Sequence, residues 1–307
     1  MQKQLPIIND GDSIVPYKKA MEANMKKFGK ILVAVLMLAT LVGACFAFTA
    51  CNNDGKVKIG AQQGTTGLFY LQGNADMNFS GYSNIEAKSY DSIGQAVQDM
   101  KNGNINYVVG DVAPAKEAAN KIGGVKVIDI PLSTEQYAIG VDKNQPELLA
   151  SINTALAEMK ANGKLAEILA NYDNPDYVPT GIPAGTYDSS KQQLVMATNA
   201  EFAPFESKAG QNFIGIDIEI AKYIADYLGQ ELVILDMDFD AVVTSVGKNG
   251  VDIALAGLTV TESRKVSVTF SDTYYDGSYQ VIIVKDGDTT FDKCTTKEDV
   301  EKILKAF

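Results

Sequence analysis

From residue 56 onward, short apolar segments alternate with longer segments of helical periodicity, and this alternation constrains the fold more than any other feature. The strand-like segments are 56–62, 106–110, 137–141, 194–198, 231–235, 252–256 and 279–284. The helix-like segments are 92–101, 147–160, 165–172, 216–228, 241–248 and 297–306. Because such alternation is typical of helices packed on a sheet, the sequence predicts an α/β fold.

A basic and apolar segment precedes this part of the chain. Lys26, Lys27 and Lys30 are followed by residues 31–50, which carry no charge. A basic start before an apolar run is typical of an export signal. We therefore expect residues 1–51 to be a leader and the folded part to lie outside the cytoplasm.

The leader resembles that of bacterial lipoproteins, in which a Cys after small residues becomes lipidated. Cys45 and Cys51 both follow an Ala. We predict lipidation at Cys51, because polar residues 52–54 follow it, whereas Cys45 is still inside the apolar run. The alternative is an uncleaved anchor, since about 20 apolar residues can span a bilayer.

Composition excludes several classes of function. The sequence contains no His, which excludes His-based metal sites and catalysis by a Ser or Cys paired with His. A net charge of −11 without a basic stripe argues against nucleic-acid binding. The three Cys lack zinc-type or redox-type spacing. We expect no metal, no cofactor and no catalytic residues.

Six segments carry recognisable motifs. The first three are residues 197–206 (ATNAEFAPFE), 215–222 (GIDIEIAK) and 256–265 (AGLTVTESRK), and the others are 62–67 (QQGTTG), 108–111 (VVGD) and 159–168 (MKANGKLAEI). The first three resemble the first half, and the other three the second half, of the bacterial extracellular solute-binding proteins of family 3, which bind polar amino acids for ABC importers. The resemblance covers nearly all of residues 56–307 and implies a two-lobed, periplasmic-binding-protein-like fold of type II with hinge strands.

The order of these motifs is reversed relative to the family. The resemblance implies that residues 52–141, completed by 285–307, form ligand-binding lobe 2, and that residues 191–284 form ligand-binding lobe 1. The helices in 142–173 would return to pack on lobe 1. Residues 174–190 hold three Pro and two Gly and are predicted to be a linker. Two accounts stay open: a circular permutation, or a truncated tandem of two binding proteins.

Arg264 is the only Arg in the sequence. It follows a strand end and the segment Thr259–Glu262, which matches a helix capping box. The N–H groups at a helix start and a planar guanidinium both suit a carboxylate. From the residues alone, a surface Arg paired with an acid is an open alternative. The resemblance implies that Arg264 binds the α-carboxylate of the ligand.

Asp111 ends a short strand before an expected helix, so it could equally be a plain N-cap. The resemblance implies that it binds the α-ammonium group. It also implies that Phe202 and Phe239 enclose the ligand side chain, although core packing is the simpler role for Phe. Asn199 stands where many relatives carry an acid, and an amide cannot neutralise a cation. A neutral polar ligand such as glutamine is therefore favoured.

The remaining candidates are expected to line the same pocket. Ala256, Gly257 and Thr259 would form one wall. Thr65 and Thr66 lie in a Gly-rich turn whose amides could cap the carboxylate, although any tight strand-to-helix turn can look similar. Gln62 is a weaker candidate.

The expected function is extracytoplasmic binding of a polar amino acid. The expected partners are that amino acid, an ABC transporter permease and the membrane, through a lipid anchor, with the protein itself a monomer. Two alternatives remain: a dehydratase-like enzyme on the same fold, and a sensory ligand-binding module. Glu201 is the nearest additional acid for an enzyme, and it would point away from the pocket if Phe202 points in.

Overall fold

The computed structural model describes residues 55–307, and the predicted α/β alternation is confirmed in them. The chain begins with β1 (Val57–Gln62), α1 (Thr66–Gln72), β2 (Ile85–Tyr90), α2 (Ile93–Asn102), β3 (Tyr107–Asp111), α3 (Val112–Ile122), β4 (Val125–Ile128), β5 (Glu135–Asp142), α4 (Pro146–Ala161) and α5 (Lys164–Asp173). It continues with β6 (Ile182–Pro183), β7 (Gln193–Thr198), β8 (Glu201–Phe202), β9 (Glu206–Ala209), β10 (Asn212–Ile214), α6 (Ile216–Leu228), β11 (Glu231–Asp236) and α7 (Phe239–Ser245). The last elements are β12 (Ile253–Ala254), α8 (Glu262–Lys265), β13 (Val268–Ser278), β14 (Gln280–Lys285) and α9 (Lys297–Ala306). The predicted leader and Cys51 lie outside the described residues.

The first five-stranded sheet has the order β2-β1-β3-β14-β4. Strand β1 runs parallel to β2 and β3, while β14 is antiparallel to β3 and β4. Both faces are covered: Ile282 belongs to a core with α1 and α9, and its neighbour Ile283 to a core with α2 and α3. Successive strand residues point to opposite faces, so an unbroken apolar strand such as β14 fits a sheet buried on both sides. We call this sheet and its helices lobe 2.

The second five-stranded sheet has the order β11-β7-β12-β5-β13. Here too an internal strand, β7, contributes to both cores, Met196 to one and Val195 to the other. Helices α4, α5 and α6 pack together on the Met196 face through Ile152, Ile168 and Ile224. We call this sheet and its helices lobe 1.

Two strands belong to a different sheet from the one that the predicted lobe boundaries assign to them. Strand β5 pairs with β12 and β13 in lobe 1, although residues up to 141 were expected in lobe 2. Strand β14 pairs with β3 and β4 in lobe 2, although residues up to 284 were expected in lobe 1. The chain therefore crosses between the sheets in residues 129–134 and again at Tyr279. Apolar patterning locates buried strands but does not reveal which sheet accepts them.

Several strands were not predicted, including β13, the longest strand of the described residues. Only four of its 11 residues are buried, and its pairing with β5 contains register shifts. Bulges disrupt the two-residue period that sequence patterns depend on. Residues 174–190, predicted as a linker, contain β6, which pairs with β10 in a small four-stranded sheet.

Helix α9 ends close to the strand with which the described chain begins. Phe307 and Val57 both pack against the same core of lobe 2. The side-chain amide of Asn84, just before β2, donates to the carbonyl oxygen of Leu304 at 2.7 Å. Among the helices within residues 55–307, none combines the length and apolar character needed to span a membrane.

Candidate functional site

Arg264 lies in the short helix α8 and reaches across to the other lobe. Its Nη1 donates to the carbonyl oxygen of Thr259 at 2.7 Å, and its Nη2 donates to that of Gly64, in lobe 2, at 3.2 Å. The guanidinium carbon lies 5.3 Å from the centre of the Phe239 ring, a cation–π arrangement. Burial lowers the pKa of Arg264. This Arg is not a surface residue paired with a neighbouring acid.

Helix α8 has a different N-cap residue from the one that the predicted capping box implies. The N-cap of α8 is Thr261, whose hydroxyl accepts from the backbone N–H of Arg264 at 3.2 Å. The hydroxyl of Thr259 instead donates to Glu135 at 2.6 Å. Two Thr at this spacing both suit a helix start, and only the fold decides which one caps it.

Asp111 lies at the end of β3 and makes no side-chain cap to the helix that follows. Its Oδ2 accepts from the hydroxyl groups of Tyr137 and of Ser278, the latter at 3.0 Å, and its Oδ1 accepts from Nε2 of Gln280 at 2.8 Å. Burial and then the nearby Glu135 raise the pKa of Asp111 to about 7. Asp111 is thus the N-cap residue of α3 by position, but its side chain does not cap the helix.

Glu135 is a site residue that was not predicted from the sequence. It is buried at the start of β5 and accepts hydrogen bonds from Thr66, Thr259, Ser133 and Gln280. The sequence signal was weak, because an acid before an apolar strand is usually a solvated residue. Only the crossing of the chain between the sheets brings Glu135 beside Asp111.

Gly257 follows β12 and forms part of the pocket wall. Its φ of +54° favours glycine, and a Cβ there would lie 2.6 Å from Cε1 of Phe202. Its N–H donates to Oδ2 of Asp217 at 2.8 Å. Phe202 is buried and packs on Phe205, so it has a core role as well as a place at the pocket.

A pair of buried acids supports this wall from behind. Asp217 also accepts from the hydroxyl of Tyr274 at 2.9 Å. Burial raises the pKa of Asp217 to about 7, and burial together with Asp217 raises the pKa of Glu206 well above its ordinary value. Because both oxygens of Glu206 and Oδ1 of Asp217 lack another partner, the pair is suited to sharing a proton.

Most of the predicted site residues line one cavity between the two lobes. These are Thr65, Thr66, Asp111, Phe202, Phe239, Gly257, Thr259 and Arg264. The centre of a water molecule can occupy about 10 Å³ of this cavity, which is room for a single water molecule.

Three predicted residues are placed differently. Gln62 and Asn199 form a bridge between the lobes, in which Nε2 of Gln62 donates to Oδ1 of Asn199 at 2.8 Å. The amide nitrogen of Asn199 donates to the carbonyl oxygen of Met237 at 2.9 Å. Ala256 is fully buried in a core of lobe 1. None of the three is among the cavity-lining residues of the described chain.

A comparison with family models gives a match over residues 194–307 to the bacterial extracellular solute-binding proteins, family 3. The chain carries a family 3 solute-binding segment. For the motifs at 197–206, 215–222 and 256–265 the resemblance is thereby confirmed, and Phe202, Phe239 and Arg264 lie inside the matched residues. The motifs at 62–67, 108–111 and 159–168 lie outside the match. The family and the two-sheet architecture together confirm the predicted class of fold.

The chain is also similar to curated proteins over part of their length. One is the arginine-binding extracellular protein ArtP of Bacillus subtilis, 41% identical over 99 residues, which are 32% of this chain and 39% of that protein. Another is the histidine-binding periplasmic protein of Salmonella typhimurium, 28% identical over 98 residues, 32% of this chain and 38% of that protein. The chain thus matches about two fifths of the length of these relatives.

Among solved structures, the arginine-bound form of domain 1 from TmArgBP is 34% identical to this chain. It covers 40% of this chain and 100% of that one, with a TM-score of 0.28.

Proposed function

We propose that this protein binds a polar amino acid outside the cytoplasm and delivers it to an ABC transporter, and that it is not an enzyme. The observation that carries the proposal is the meeting of Arg264, from lobe 1, and Asp111, from lobe 2, at one cavity. A guanidinium suits an α-carboxylate, and a carboxylate suits an α-ammonium group. A cationic group and an anionic group on opposite sides of one cavity select a zwitterion.

The proposed ligand has a neutral polar side chain, with glutamine as the first candidate. Asp111 is the only acid among the cavity-lining residues of the described chain. If it takes the α-ammonium group, no second carboxylate lines the cavity for a cationic side chain. The names of the relatives point to arginine and histidine, so these two are the competing ligands.

Binding would require the lobes to separate and then close. A space that holds a single water molecule is too small for an amino acid. Residues 129–134 and Tyr279 connect the two sheets and are the proposed hinges. Closure would remove water from Arg264 and Asp111, which strengthens their attraction for a zwitterion.

The proposed setting is the outer face of the cell membrane. Lipidation at Cys51 would anchor the protein there as a monomer, and the closed form would dock on the permease. Circular permutation is the proposed origin of the motif order. In its support, each five-stranded sheet contains strands from both sides of the 174–190 segment, so the two parts complete each other.

Titration calorimetry of the purified chain against the twenty amino acids tests the proposal. We expect one polar, neutral amino acid to bind, and Arg264→Lys to weaken its binding at least tenfold, because an ammonium cannot form the paired hydrogen bonds of a guanidinium. Lys265→Arg, one residue away and exposed, is the matched control and should bind normally. Near-normal affinity of Arg264→Lys would remove Arg264 from this role, and binding of none of the twenty would refute the function.

A further inference from the structure

Glu135 sits where the two lobes meet, at the first residue of β5 after the 129–134 crossing. Its side chain is buried, with 2% of the residue exposed. Four donors surround it, which matches the four lone-pair sites of a carboxylate. A buried carboxylate is retained only when such partners compensate for the loss of water.

The four donors come from both lobes. The hydroxyl groups of Thr66, in α1 of lobe 2, and of Thr259, in lobe 1, donate to the same atom, Oε2, at 2.8 and 2.6 Å. Oε1 accepts from Ser133 in the crossing at 2.7 Å and from Gln280 of lobe 2 at 3.0 Å. Oε2 therefore joins two side chains that line the cavity from opposite sides.

This arrangement depends on the closed relation of the lobes. If the lobes rotate apart about the two crossings, Thr66 and Thr259 cannot both stay within hydrogen-bond distance of one oxygen atom. Glu135 also interacts with both proposed ligand-binding residues, since its charge raises the pKa of Asp111 and favours the charged form of Arg264. Nε2 of Gln280 donates to both Glu135 and Asp111, so Gln280 bridges the two acids.

We propose that Glu135 is a positioning residue that stabilises the closed form by holding Thr66 and Thr259 together across the cleft. It does not contact the ligand in this proposal. The inference rests on the proposed function, because it assigns a role in closure to a residue beside the proposed binding cavity.

Glu135→Gln is the test, since it keeps the size of the side chain but turns one acceptor atom into a donor. Glu219→Gln is the matched control: Oε1 of Glu219 also accepts from two hydroxyl groups, those of Tyr172 and Tyr177, but all three residues belong to lobe 1 and its flanking segment. The sequence contains no Trp, so Phe69→Trp at the cleft provides a single fluorescent reporter in each protein.

Two quantities are measured on the full chain in detergent: ligand affinity, and acrylamide quenching of the reporter without ligand. We expect Glu135→Gln to weaken binding about tenfold, the usual effect of leaving a buried donor unpaired, and to increase quenching. Glu219→Gln should change neither. Unchanged affinity and unchanged quenching in Glu135→Gln, even with a lower Tm, would overturn the proposal.

Two further outcomes keep the test decisive. If Glu135→Gln does not fold, Thr66→Val removes the hydroxyl donor from lobe 2 and should increase quenching in the same direction. If no amino acid binds the wild-type chain, the proposed function fails, while quenching of the ligand-free proteins still tests whether Glu135 stabilises closure.

Discussion

At the scale of single residues, Asp111 combines a proposed role in binding with a cost to the ligand-free fold. Its pKa of about 7 lies above the value of about 3.9 expected in an unfolded chain. Between these values the folded protein binds more protons at this carboxyl than the unfolded one does, so the contribution of Asp111 to stability is largest at low pH and falls as pH rises through this window. Asp217, with a pKa also raised to about 7, adds to the same slope.

Asp111→Asn tests this assignment, because an amide has the same shape but no charge to bury. Without ligand, we expect the variant to lose part of the decline in Tm between about pH 4 and pH 7, because it has no carboxyl at this position to lose a proton. Its ligand affinity should fall at least tenfold at pH 8. A pH slope identical to that of wild type, from thermal melts at several pH values, would contradict the assignment.

At the scale of elements, the turn after β12 depends on Gly257. A Cβ at this position would meet the Phe202 ring, and the residue itself has a left-handed φ. We expect Gly257→Ala to lower the free energy of unfolding by roughly 1–3 kcal/mol and to weaken ligand binding, since the wall of the cavity must shift. Urea unfolding and calorimetry measure the two effects.

Gly287→Ala separates the two causes. Gly287 has a φ of +83°, but a Cβ added there would meet no atom within 4 Å, so this variant measures backbone strain alone, worth about 1 kcal/mol. It should leave binding unchanged. Equal losses in the two variants, with binding intact in both, would show that contact with Phe202 has no role.

At the scale of the whole molecule, the order of the halves can be tested by rearranging the chain. Phe307 and Val57 share one core, so a short linker from Phe307 to Lys56, with a new opening inside 174–190, restores the order of the family. We expect this chain to unfold in one cooperative transition and to bind the same ligand as the original, because every strand pairing is retained. Failure to form a cooperative fold would favour the truncated-tandem account.

How far the sequence could predict the fold differs between elements. Helices such as α6 and α9 were predicted with their observed limits, because an amphipathic period and a cap are local properties. The irregular strand β13 was missed, and β5 and β14 were assigned to the opposite lobes. Pairing partners are distant in sequence, so no local pattern specifies them.

The sequence by itself determined the α/β class, the exclusion of His chemistry and the candidates Arg264 and Asp111, since these follow from residue type, period and motif. Only the tertiary structure placed those two side chains at one cavity, moved Gln62 and Asn199 into a bridge, and brought Glu135 between Thr66 and Thr259. The reason is physical. A buried charge is stabilised by donors from separate parts of the chain, and only the folded arrangement of the two sheets brings those donors together.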